Sequence, residues 1–253
     1  LLRQLTLILL LLLMKKKIVI LSGAGISAES GISTFRDSDG LWEKHDVMEV
    51  ASIFGWQQNP SLVLDFYNQR RAQLREVKPN KAHLDIASLE KEYDVVVITQ
   101  NVDNLHEMAG STKVIHLHGE LTKVRPEDSY TEEDGFDESR SKDVNFGPVS
   151  IGDTDDRGVQ YRPHIVFFGE AVPKMTDAIA ELAEADFMII VGTSLVVQLA
   201  ASLWKYTPVD CPVFVVDPKD TPIDNEEGVV HIKEKATVGV AEAIRMISEM
   251  SCE

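Results

Sequence analysis

The chain predicts an α/β protein, a doubly wound parallel sheet covered by helices with a smaller inserted domain, and three observations carry that expectation. Short β-branched runs alternate with stretches of helical periodicity, as in sheets whose strands are buried on both faces. A glycine-rich turn follows the first run. A segment from Arg125 to Gln160, with eleven Asp and Glu against four Lys and Arg, breaks the alternation. It is too long for a loop of about 4 to 6 residues and is read as a small subdomain or a mobile flap.

Strands are expected at Lys17–Leu21, Val95–Thr99, Val114–Leu117, His164–Phe168, Phe187–Val191, Val213–Asp217 and Val229–Ile232, each a short run rich in β-branched and aromatic residues. Helices are expected at Pro60–Arg75, Lys81–Glu92, Lys174–Glu184, Leu195–Tyr206 and Val238–Met250. In the third of these Met175, Ile179 and Leu182 keep helical spacing.

The 253 residues allow one large domain or two small ones. With 25 basic against 41 acidic residues the net charge is −16, so no nucleic-acid partner is expected. Two cysteines, Cys211 and Cys252, suit neither a disulfide framework nor a four-cysteine metal site, and point to a reducing, cytoplasmic setting. Leu5–Leu13 is apolar apart from Thr6 but falls short of the ~20 residues of a membrane span. Met14-Lys15-Lys16-Lys17 follows it in place of a cleavage site. Residues 1–13 are therefore expected to be a leader outside the fold, with Met14 as the start and no membrane partner.

The first strand runs into Ser22-Gly23-Ala24-Gly25-Ile26-Ser27-Ala28, a G-x-G-x-x-A turn. Gly23 and Gly25 would allow close approach to a pyrophosphate at the free amides of a helix start, or else a tight turn without ligand. The second strand expected of an ordinary dehydrogenase about 20 residues on is missing, which weighs against hydride transfer. Val95–Thr99 leads into Gln100-Asn101-Val102-Asp103, and Val114–Leu117 into His118-Gly119-Glu120. Strand ends of a doubly wound sheet converge on one crevice, so amides, a carboxylate and an imidazole would meet there. His118 titrates near neutral pH, as a general base should. Gly192-Thr193-Ser194 after Phe187–Val191 leaves room for a nucleotide or caps a helix.

GAGISAESGI with FR, TQNVDNLH, HLHGEL, IVFFGE and GTSL, in this order, resemble the sirtuins, NAD-dependent protein-lysine deacylases, from Lys16 to about Ile247. The resemblance implies a Rossmann-like domain in residues 14–36, 79–121 and 163–253, with the smaller part in 37–78 and 122–162. It implies NAD contacts at Gly23, Ala24, Gly25, Ile26, Phe35, Arg36, Trp42, Gln100, Asn101, Asp103 and His118. Gly192, Thr193, Ser194, Asp217 and Ala236, with Lys235, would face the adenosine side, although Asp217 replaces a frequent asparagine. Val166, Phe167 and Gly169 would pair with the main chain of an acyl-lysine peptide. In the implied mechanism the acyl-lysine carbonyl oxygen attacks the nicotinamide ribose carbon and nicotinamide leaves. His118, with Asn101 and Asp103 as the other catalytic residues, then takes a proton from the ribose hydroxyl relay. The products are lysine, nicotinamide and 2′-O-acyl-ADP-ribose.

Tyr67 and Arg70, three residues apart on a predicted helix, resemble the Y-x-x-R pair of the sirtuins that remove acidic acyl groups. Arg70 would grip a succinyl or malonyl carboxylate, Tyr67 would add a hydroxyl and Ala51 would leave room. Most sirtuins carry a structural zinc on two Cys-x-x-Cys pairs after the HG motif, and residues 122–162 contain no cysteine. A zinc-free protein is expected, with Asp153, Asp155 and Asp156 a solvated acidic surface. A small core of Tyr130, Phe136, Val144, Phe146, Val149, Ile151, Val159 and Tyr161 would leave the subdomain mobile. NAD hydrolysis, ADP-ribosyl transfer and a catalytically weak NAD-sensing module are the competing readings.

Overall fold

The structure, a computed structural model, describes residues 15–32, 41–42, 45–131, 135–195 and 201–251. Phe35, Arg36, residues 1–13 and the side chain of Trp42 lie outside what is described. In chain order the elements are β1 (Lys17–Ser22), α1 (Ala24–Ala28), β2 (Leu41–Trp42), β3 (His45–Asp46), α2 (Val47–Val50), α3 (Ile53–Gln58), α4 (Pro60–Leu74) and α5 (Lys81–Ser88). Then come β4 (Asp94–Thr99), α6 (Leu105–Ala109), β5 (Val114–His116), β6 (Gly119–Pro126), β7 (Tyr130–Thr131), β8 (Gly135–Phe136), β9 (Lys142–Asp143) and β10 (Tyr161–Ile165). The chain finishes with α7 (Met175–Leu182), β11 (Phe187–Val191), β12 (Val213–Val216), β13 (Val229–Ile232) and α8 (Ala236–Ser251).

Six parallel strands form the main sheet in the order β13-β12-β11-β1-β4-β5. The chain begins in the middle, winds outward to β5, and returns on the other side of β1, so the winding reverses between β1 and β11. This is an α/β, Rossmann-like architecture. Alternate residues of the strands feed two cores. Ile18, Ile20, Val95, Val97 and Ile189 pack with Ala82 and Ile86 of α5 and with Val240, Ala243 and Ile247 of α8. Val19, Leu21, Val96, Ile98 and Ile190 pack with Ala178 and Leu182 of α7. Burial on both faces explains why the strands read as continuous apolar runs. Among the described residues no helix is long and apolar enough to cross a membrane.

Two expected elements are corrected. His164–Phe168 is not a strand of the parallel sheet: Tyr161–Ile165 pairs antiparallel with β6 in a separate sheet, β10-β6-β9. An apolar run announces burial but not its pairing partner. The approach of β10 to the start of β6 requires glycine at position 119, where φ is 86° and a Cβ would stand 2.0 Å from the His164 carbonyl oxygen. The helix expected over Leu195–Tyr206 does not start at Leu195, whose φ of 53° is left-handed; the described part ends in a 3-10 turn at Leu203–Tyr206.

The acidic segment contributes β7, β8, β9 and the path to β10. A third core gathers Val50, Trp56, Val63, Phe66, Tyr67, Leu121, Val124, Val149, Ile165 and Phe167, with Val144, Phe146 and Tyr161 packed on it. Ile151 is exposed. Polar ties do much of the rest. Asn68 of α4 exchanges hydrogen bonds of 2.9 Å and 2.9 Å with the Val149 backbone. Buried Arg71 donates to the carbonyls of Gly147 (3.1 Å) and Leu121 (3.2 Å) and to Asn68 (2.6 Å). Arg140 reaches Asp128 at 2.8 Å and Asp155 at 2.6 Å. Asp155 also accepts from the amides of Arg157 and Val159, so the acidic turn is satisfied by its own backbone and one guanidinium.

Candidate active site

The turns after β1 and β11 meet where the winding reverses. Gly23 N donates to the Val191 carbonyl at 3.0 Å, Gly25 N to that of Gly192 at 2.8 Å and Ile26 N to that of Gly23 at 3.1 Å. Of the amides of Gly23, Ala24, Gly25 and Ile26, these bonds leave out that of Ala24, the first residue of the helix. The glycines allow the close approach of the two turns, since a Cβ on Gly25 would stand 2.6 Å from the Gly192 Cα. Ile26, expected at the cofactor, is fully buried in the core, so its side chain is not available there.

The turn after β4 brings the predicted polar groups together. Gln100 Nε2 donates to Thr193 Oγ1 at 3.0 Å, linking the β4 and β11 ends. Ser27, which sequence reasoning did not single out, donates to Asp103 at 3.1 Å and accepts from Asn101 Nδ2 at 3.1 Å. Behind them a buried chain runs from His106 through Ser22 (2.9 Å) to Thr99 (2.8 Å), whose hydroxyl accepts from the Asn101 amide at 3.0 Å. Asp103 is buried, which raises its pKa against the pull of the Leu105 amide and Ser27. Asp217, at the end of β12, is also buried and accepts from the Lys219 amide at 2.9 Å; Ser194 is half-buried and Ala236, opening α8, is buried.

His118 stands at the mouth of this turn. Its Nδ1 lies 2.9 Å from the Gln100 carbonyl, which can only accept, so Nδ1 carries the hydrogen and Nε2 keeps a lone pair. Burial lowers the His118 pKa below 6.5, only partly offset by the Gln100 carbonyl. The imidazole is therefore neutral at pH 7 and able to accept a proton. The amide of Val166 donates to the His118 carbonyl at 2.9 Å.

Val166, Phe167 and Gly169 fall in the segment that follows β10. Phe168 donates to the Ala51 carbonyl at 2.8 Å and accepts from Ile53 at 3.1 Å, while the Phe167 amide donates to Glu170 at 2.8 Å. The Phe167 carbonyl accepts from the Glu170 amide at 3.0 Å. Glu170 itself accepts from two buried guanidiniums, Arg162 at 2.7 Å and Arg125 at 3.3 Å. Arg162 and Arg125 lie 4.0 Å and 3.9 Å from the ring centroids of Phe167 and Phe136. On the far side of Phe167, Tyr67 is fully buried with its ring 5.9 Å from that of Phe167, and burial pushes its hydroxyl pKa up. Arg70 is half-buried one helical turn on, with its guanidinium 5.3 Å from the Phe66 centroid. Ala51 is buried beside this segment. The structure thus brings the His118 backbone against Val166 and the Tyr67 ring against that of Phe167.

Hydroxyl, carboxamide and carboxylate groups at the carboxyl ends of β1, β4, β11 and β12 form a donor and acceptor set suited to a dinucleotide with ribose hydroxyls and a carboxamide. Residues 23–199 match the Sir2 family. A protein of Helicobacter pylori named NAD-dependent protein deacylase is 51% identical over 234 residues, which cover 92% of this chain and 98% of that protein. One of the same name from Bacteroides thetaiotaomicron is 47% identical over 232 residues, covering 91% and 97%. An ADP-ribose complex of a mutant Sir2 homologue superposes with a TM-score of 0.81 at 36% identity, covering 94% of each chain. The NAD complex of a Sir2 homologue does so with a TM-score of 0.78 at 36% identity, covering 93% of this chain and 91% of that one.

Proposed function

This chain belongs to the Sir2 family, and from that premise we propose that the NAD-dependent protein deacylation it carries out acts on lysine, with acidic acyl groups such as succinyl and malonyl preferred to acetyl. The observation that supports the reading is that residues 166–167 join both parts, with Val166 bonded to the backbone of His118 and Phe167 packed on the ring of Tyr67, one helical turn before Arg70. An acyl-lysine peptide laid along the segment at Val166 would bring its side chain toward these groups.

Bound NAD supplies a ribose carbon that accepts the acyl oxygen as nicotinamide leaves. Everything else is assigned to this chain. Asn101 and Asp103, held to one another through Ser27, orient the nicotinamide end. Gln100 and Thr193, joined at 3.0 Å, with Ser194 and Asp217, line the ribose and adenosine path. His118 takes the proton released from the ribose hydroxyls at Nε2, its other nitrogen being fixed on Gln100. Arg70 binds the distal carboxylate and Tyr67 adds a hydroxyl. Cysteine usage supports a cytoplasmic site for the reaction, since two cysteines in 253 residues make no disulfide framework.

The test uses the purified protein with NAD and matched succinyl-lysine, acetyl-lysine and acyl-free peptides, following peptide mass and nicotinamide together. Acyl loss coupled to nicotinamide release, faster on succinyl-lysine and abolished in His118→Ala, is the expected result. Equal nicotinamide release without an acyl peptide would instead establish NAD hydrolysis.

A further inference from the structure

Two histidines of one strand end stand on consecutive carbonyls of the β4 turn. His118 binds Gln100 at 2.9 Å and His116 binds Asn101 at 3.0 Å. The proposed reaction uses only the first. The second nitrogen of His116 lies 2.7 Å from Glu107 Oε1 on α6. A backbone carbonyl and an ionised carboxylate both only accept, so both ring nitrogens of His116 must carry hydrogen. The ring is then an imidazolium, pressed on one side against the turn that holds Asn101 and Asp103.

We propose that His116, charged between Glu107 and the Asn101 carbonyl, is a positioning residue that fixes the Asn101–Asp103 turn for the reaction. This rests on the deacylase reading, from which Asn101 and Asp103 take their roles. The surroundings favour the charge. Burial opposes it, but the Glu107 hydrogen bond and the charges of Glu107 and Glu120 outweigh burial and raise the His116 pKa. Burial also works against the Glu107 carboxylate, and the bond to His116 reverses that, lowering the Glu107 pKa. The other groups facing the ring are Asp103 in the turn, His106 on α6, Lys123 on β6 and His164 on β10. Both His106 and His164 are kept neutral at pH 7, first by burial, so Lys123 is the one other cation among these groups; it is paired with Glu120 at 2.7 Å and adds to the pull on Glu107 after the His116 bond and charge.

His116 and Glu107 line a cleft of about 500 Å³ between β5, β6 and α7, on which Lys174 and Glu181 also open. Protons can reach the pair from that cleft. When His116 loses its proton it keeps one N–H for two acceptors, and either Asn101 or Glu107 is released. The turn then loosens, and turnover falls as pH rises through the His116 pKa. A residue misplaced by about 1 Å can cost on the order of a hundredfold in rate.

The charge is read first, in the free protein, by ¹⁵N-histidine NMR with His116→Gln for assignment. At pH 7 His116 is expected to show the imidazolium pattern, and a neutral ring would overturn the proposal. Kinetics follow with NAD and acyl peptide. Glu107→Ala is expected to lower kcat about tenfold or more, with a smaller change in the KM for peptide. Glu107→Gln restores much of the loss, because its amide can donate to the neutral ring while Nδ1 still donates to Asn101, and it flattens the alkaline limb of the pH profile. Wild-type kcat and profile in Glu107→Ala would refute the positioning role. If the wild-type protein releases no nicotinamide at any pH, the deacylase reading fails and the positioning role with it, while the ring spectrum still decides whether the charged clamp exists.

Discussion

Replacing Glu170 by glutamine removes one negative charge from beside Phe167 and changes the shape of the side chain little. Glu170 accepts hydrogen bonds from Arg162 at 2.7 and 3.1 Å, from Arg125 at 3.3 and 3.4 Å and from the Phe167 amide at 2.8 Å. The Arg125 and Arg162 side chains are 0% and 1% exposed and that of Glu170 is 5% exposed. Burial, and then Arg162, pull the Arg125 pKa down to about 9, so it is still charged at pH 7. In Glu170→Gln two buried cations face a neutral amide and lose the carboxylate that binds both, keeping the Phe136 and Phe167 rings, the Ser129 hydroxyl and the Ile165 carbonyl as neutral neighbours. Removing one partner of a buried ion pair costs about 3–5 kcal/mol. With a urea dependence of about 3 kcal/mol/M, the unfolding midpoint should fall by about 1–2 M. The assay is urea unfolding followed by tryptophan fluorescence, with the peptide KM measured on the folded fraction, since Phe167 loses its anchor. The triple change Arg125→Met, Arg162→Met and Glu170→Leu removes all three charges together and should recover most of the midpoint. A single-variant shift below about 0.3 M, or a triple variant no more stable than the single one, would refute the reasoning.

Three further outcomes are expected. The acid limb of kcat/KM should have its midpoint below pH 6.5, because burial lowers the His118 pKa and the neutral base survives into mild acid; a midpoint above 6.5 would contradict the assignment. Burial lowers the pKa of His83 to about 4 and, with nearby cations, that of His164 to about 3, so the unfolded chain takes up protons first and stability is lost as pH falls from 6.5 toward those values. The His83 contribution is on the order of 3 kcal/mol. Calorimetry should show the melting temperature of His83→Gln falling less between pH 6.5 and 4.5 than that of the wild type, and parallel curves would sink the idea. Arg70→Met should lower desuccinylation about 10- to 100-fold relative to deacetylation, the value of a charge-assisted hydrogen bond, whereas equal losses would argue against the acyl pocket.

The strands of the main sheet were legible because each is an apolar run between turn residues, a local signal that needs no partner. The polar residues at their ends were legible for the same reason, as Gln100, Asn101, Asp103 and His118 follow directly on strands. Tyr161–Ile165 was misassigned because nothing in its apolar pattern distinguishes a parallel neighbour from an antiparallel one. Arg71, Arg125 and Arg162 went unread because a buried guanidinium looks like a surface charge until the carbonyls and carboxylate it meets, 8 to 76 positions away, are folded beside it. The glycines of the first turn were found, but their packing on the Gly192 backbone was not readable, because a tight turn announces a close approach without naming the neighbour.

Helix α4 carries Tyr67 and Arg70 on one line of its surface and Asn68 and Arg71 on the next, about 100° around. The second line joins the helix to Val149, Gly147 and Leu121. Because the two lines do not share a residue, the joint to Val149, Gly147 and Leu121 is made by side chains other than those at 67 and 70. A new side chain at the half-buried position 70 would therefore leave the anchorage of the helix as it is, whereas one at the fully buried position 67 would have to be matched by Phe66 and Phe167, which pack on it.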